Sequence, residues 1–96
     1  MEFKGSKIPW HIGSPSFKYK DTQIIRCANE SAVAHLSYSR EKCIAEANAH
    51  LIAAAPELLE ALIEMQRNGH KQGWNDSYES SMEKTRLAIA KALGQQ

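Results

Sequence analysis

Four histidines and two cysteines are the side chains of this sequence best suited to ligate a metal or attack a substrate. They are His11, His35, His50, His70, Cys27 and Cys43. Each histidine falls in a different expected element, and the cysteine spacing matches neither a zinc motif nor a redox pair, so no metal centre is expected. Glu57, Glu60 and Glu64 repeat at helical spacing. Such a row could hold a cation or exchange protons, but it is also the ordinary solvated face of an amphipathic helix. A serine-centred elbow, a phosphate loop, a His-Glu zinc helix and a dinucleotide fingerprint are all missing. The expectation is a protein that binds rather than one that catalyses, with no cofactor.

Candidate binding residues cluster in three places. Trp74 stands among polar residues and glycines, with Arg67, His70 and Lys71 close in sequence. An aromatic ring beside cations suits a nucleotide base and its phosphates, while the plainer alternative is a tryptophan folded back to close a loop. Trp10 and His11 open the first apolar segment, where Trp10 is expected to anchor the core. Asn48 falls at the edge of an apolar helical stripe, where its amide must find a partner, and His50 follows one half-turn later.

A net charge of +1, from twelve basic and eleven acidic residues, gives no broad field for nucleic acid or an anionic membrane. Lys18, Lys20 and Arg26 could still touch phosphate, so a nucleic-acid-associated regulator stays open but is not favoured. No apolar run approaches the length of a membrane span. The polar opening of the chain is unlike a secretory signal, so a cytoplasmic protein with reduced thiols is expected.

The elements that must position these residues divide near Tyr38. Before it the pattern is strand-like: residues 8–13 around Trp10, the alternating Phe17-Lys18-Tyr19-Lys20, then 23–28 and 32–36. After it the period is helical. Ser39 is a suitable N-cap, and Ile44, Ala47, Leu51, Ala54 and Ala55 form the expected core stripe. Ala45, Ala49 and Ala53 make a small-residue back that could take a second packing surface, either the sheet or another subunit. Pro56 is expected to open a new helix with a core face of Leu58, Leu59, Leu62, Ile63 and Met65, the alternative being one kinked helix. Asn68-Gly69 should stop it. Residues 69–76 should form a loop, Asp76 or Ser77 the cap of a last helix over 77–93, with Glu79 where a capping-box partner of Asp76 would stand, Gly94 its end, and Tyr78, Met82, Ile89 and Leu93 on its core side. The expected fold is α+β: an antiparallel meander of three or four strands followed by two or three helices, in one domain with a flexible 1–7 segment. Its small core, and Leu87 off the main stripe, favour a homo-oligomer.

The segment Glu46-Ala47-Asn48-Ala49-His50-Leu51-Ile52-Ala53-Ala54-Ala55-Pro56-Glu57-Leu58-Leu59-Glu60-Ala61-Leu62 closely resembles one found in many small phage and prophage proteins. In those, it follows a β-rich region that often opens with Pro-Trp, as Pro9-Trp10 does here. The likeness spans roughly residues 8 to 65, and its departure is His50, where the pattern usually carries Arg. The resemblance implies an accessory phage protein in a bacterial host and carries over no catalytic residue. By analogy with other accessory proteins it implies counter-defence, by blocking a host protein or sequestering a small nucleotide-type signal.

Overall fold

The computed structural model describes residues 3–13, 22–37 and 42–95. Six elements follow one another: β1 (His11–Gly13), β2 (Thr22–Arg26), β3 (Ala32–Ser37), α1 (Lys42–Lys71), α2 (Trp74–Ser77) and α3 (Glu79–Ala92). The three strands form an antiparallel sheet in the order β1-β2-β3, followed by the helices, which is the expected α+β class. The alternating segment 17–20 and the cap at Ser39 lie outside the described residues. The chain divides into two compact units, Lys4–Pro56 and Glu57–Gln96, the latter joined by Met1–Phe3, with the boundary inside α1.

In the β-rich unit, β2 is the central strand and carries the core. Ile24 and Ile25 point to opposite faces of the pleat, yet both are fully buried. The β2–β3 turn holds itself together. Cys27 N–H donates to Ser31 O at 2.9 Å and Glu30 N–H to Cys27 O at 2.9 Å, while Asn29 Oδ1 accepts from Ser31 N–H at 3.1 Å. Glu30 takes a left-handed conformation there, with φ 69°. Past the turn, Ile25 pairs with Ala34 and Arg26 with Ala32, so Val33 is the extra residue of a bulge.

Helix α1 departs from expectation in two ways. It runs unbroken through Pro56, Asn68 and Gly69 to Lys71. Pro56 removes one backbone donor, but alanine- and leucine-rich neighbours on both sides have high helix propensity and carry the helix across it. The true stop is Gly73, with φ 76°. The second departure is which face of α1 is covered. Ala45 and Ala49 are buried, at 6% and 0% exposure, whereas Ile44 and Leu51 are 52% and 63% exposed. The alanine side, expected to be the back, is the core side, because small side chains allow the closest packing of neighbouring backbone.

In the helical unit, Leu59, Ile63 and Ile89 form the core cluster, with Phe3 and Leu93 packed against it. Leu58, Leu62 and Met65, expected in the core, are exposed instead. Phe3, a large aromatic in a polar segment, finds apolar cover there. Lys7 O, in the other unit, accepts from Ala28 N–H at 3.0 Å. The expected Asp76–Glu79 capping box is not formed, since Asp76 lies within α2 and the α3 N-cap is Tyr78 with no side-chain cap bond. Helix α3 does end at Gly94 as expected. Gln95 N–H donates to Ala90 O at 2.8 Å and Gly94 N–H to Lys91 O at 3.1 Å around a left-handed glycine, which is the Schellman arrangement.

Candidate functional site

The segment 69–76 is not a loop. Its first residues finish α1 and its last ones form α2, and this places Trp74 over the end of α1. Gly69 makes that possible: it is buried within α1, and a Cβ there would come 2.5 Å from Trp74 Cε3 and 3.1 Å from Met82 Cε. Trp74 in turn meets Tyr78 edge-on, with ring centroids 5.9 Å apart and planes at 84°.

Two cavities flank this contact, both in the helical unit. The first, about 360 Å³, is walled mainly by Leu62, Met65, Trp74, Tyr78 and Met82, with Ser81 and Thr85 as its small polar members. Among the described residues no charged group lines it. The second, about 450 Å³, is of mixed character, lined by Gln66, His70, Asn75, Glu79, Met82, Glu83 and Arg86. The Asn75 side-chain amide is hydrogen-bonded to His70 Nδ1. Arg86 donates to Glu83 at 2.6 and 3.0 Å. That hydrogen bonding, aided by the guanidinium charge, holds the Glu83 carboxyl below its ordinary range and raises Arg86 in turn. Gln66 lines both cavities, and its Oε1 is buried without a hydrogen-bond partner among the described residues.

The structure brings together only some of the residues singled out from sequence. Trp74 and His70 line the two cavities. Arg67 and Lys71 are exposed and line neither. On a helix each residue turns roughly 100°, so Arg67 points well away from Gln66 and Leu62, and Lys71 further still. Asn48 and His50 are exposed on the first half of α1. In the β-rich unit, Trp10 Nε1–H donates to Ser6 O at 3.2 Å, and His11 Nε2 lies 3.4 Å from Glu30 Oε2, an ion pair only when the ring is protonated. Sequence reasoning missed Gln66, a polar residue on the helical period of Leu59, Leu62 and Ile63, and that interruption is the signal that could have found it. Glu57, Glu60 and Glu64 are exposed, and among the described residues no group of three or more His, Cys, Asp or Glu is placed to hold a metal. Among the same residues no helix is long and apolar enough to cross a membrane.

The described residues form a small α+β chain with an apolar cavity beside Trp74. Its family is one of phage proteins: residues 1–96 match the family model of Salmonella phage P22 protein Y8K6, and the chain belongs to that family. No curated protein and no solved structure is measurably similar to it.

Proposed function

We propose that this phage protein is a non-catalytic binding protein that engages a host protein through the Trp74 cavity, and that it serves counter-defence by occluding that host protein. One observation carries the reading: the cavity of about 360 Å³ is walled by aromatic, leucine and methionine side chains and lined by no charge. Such a surface accepts an apolar side chain of a partner, the kind of anchor that dominates protein interfaces. It suits a nucleotide-type signal poorly. The neighbouring cavity of mixed lining offers one guanidinium, Arg86, already paired to Glu83, together with a second carboxylate, Glu79. Phosphates would meet more negative than positive charge there.

The test is co-purification from host cells with the wild type, Trp74→Ala, Tyr78→Ala and Arg67→Ala. A host protein should be retained by the wild type and by Arg67→Ala, and lost with the two cavity variants. In parallel, a nucleotide panel should leave the melting temperature unchanged. A nucleotide that stabilises the wild type but not Trp74→Ala would replace the protein partner with a small anionic one.

A further inference from the structure

We infer that the host side chain seated in the Trp74 cavity is a tryptophan, and that its indole N–H donates to Gln66 Oε1. This rests on the reading that a host protein enters the cavity, and it names the group that enters. All the residues concerned belong to the helical unit. Size is the first reason. An engineered cavity of about 150 Å³ takes up benzene, a single ring. At about 360 Å³ this cavity has room for the two fused rings of an indole. It is open to entry, since Leu62, Met65 and Tyr78 on its walls are exposed.

The second reason is the chemistry of the walls. Trp74 and Tyr78 offer ring edges and faces to another ring, and Met65 and Met82 offer thioether sulfurs, which sit favourably against aromatics. An aliphatic side chain would gain only burial from the same walls. A charged one would be stranded, because among the described residues no charge lines the cavity. The third reason is the unmade hydrogen bond. Gln66 Oε1 is a buried acceptor without a donor among the described residues. An indole nitrogen donates and does nothing else, so it meets that need and brings no acceptor of its own to be left unpaired. Leucine or phenylalanine would leave Oε1 as it is, and tyrosine brings one ring and a further acceptor. In the empty cavity Oε1 is closed to water. A turn of the amide about its last torsion presents it to the cavity that Gln66 lines. That torsion is broad, and no hydrogen bond among the described residues holds the oxygen back. The bond made on binding relieves a cost that the free protein carries.

Nuclear magnetic resonance titration of the isotope-labelled full chain reads the outcome with three probes. They are N-acetyltryptophanamide, its indole-N-methylated counterpart, which lacks the donor, and N-acetylleucinamide. On the wild type, N-acetyltryptophanamide should shift the Trp74 indole and Thr85 amide signals and saturate in the millimolar range. It should bind about ten-fold more tightly than the methylated probe, and more tightly than the leucine probe. On Gln66→Met the two indole probes should bind alike, at the weaker affinity. The inference is overturned if both indole probes bind the wild type equally, or if their difference survives in Gln66→Met. A tighter leucine probe, or no shift of the cavity signals by any probe, would also overturn it. Co-purification from host cells judges the underlying reading separately. A host protein retained equally by the wild type and Gln66→Met keeps that reading and ends the tryptophan assignment, whereas its loss from Gln66→Met supports both. Indole probes that bind through Gln66 while no host protein is retained would remove the reading and leave the indole specificity of the cavity standing.

Discussion

Gly69 and Trp74 fit together only because Gly69 has no side chain: a Cβ on it would stand 2.5 Å from the indole. In a helix interior Ala is ordinarily preferred to Gly by about 1 kcal/mol. Here that preference is overridden. Gly69→Ala should lower stability by about 1–3 kcal/mol, the usual cost of overpacking, which is several degrees of melting temperature in a chain this size. Near-ultraviolet circular dichroism should change with it as the ring leaves its seat against Tyr78. A variant more stable than the wild type with an unaltered aromatic spectrum would show that the ring is held elsewhere.

Gln66 offers the opposite expectation. Its buried Oε1 has no hydrogen-bond partner among the described residues, and an unmade bond of that kind costs about 1–3 kcal/mol. Replacing the amide by an apolar group of similar shape removes the cost. Gln66→Met should therefore raise the denaturation midpoint by the equivalent of about 1 kcal/mol. A loss of stability would mean that the amide is engaged in solution.

The Glu83–Arg86 pair sets a pH dependence whose sign follows from its direction. The folded-state carboxyl titrates below its unfolded value because Arg86 donates to it. Its stabilisation is thus present at neutral pH and is lost as pH falls through the folded-state value. Both groups are exposed, so the effect is small and screened by salt. The melting temperature of the wild type should exceed that of Glu83→Gln slightly at pH 7, and the two should converge in acid. A gap that widened in acid would contradict the assignment.

The parts of this fold that were legible in the sequence are those set by local rules. The strands of the meander follow from short alternating segments between turns, and the stop at Gly94 from a glycine that can turn left-handed. Pro56 and Gly69 misled because each obeys a local rule that long-range packing overrode. The faces of α1 were illegible for a different reason. Apolar residues occupy roughly two-thirds of its circumference, so periodicity marks the acidic strip but cannot choose between two apolar sides. Size suggested the leucine side as core, whereas the structure buries the alanine side. At the site, Trp74 announced itself as an aromatic in a polar stretch. Lys71 turned away once the presumed loop proved helical, Arg67 already pointed aside on the helix where it was expected, and Gln66 was hidden by its apolar neighbours.

The choice of core face on α1 makes the sharpest stability contrast. Ala49 is fully buried and Leu51, two residues on, is 63% exposed. If the alanine side is the core, Ala49→Leu forces several heavy atoms into closed packing and should cost about 1–3 kcal/mol or more. Leu51→Ala removes as many atoms from an open surface and should change stability by less than about 0.5 kcal/mol. Denaturant unfolding followed by tryptophan fluorescence reads the comparison. A leucine stripe buried in the chain's own core would reverse the ranking, with Leu51→Ala losing about 2–5 kcal/mol as a cavity-forming change does.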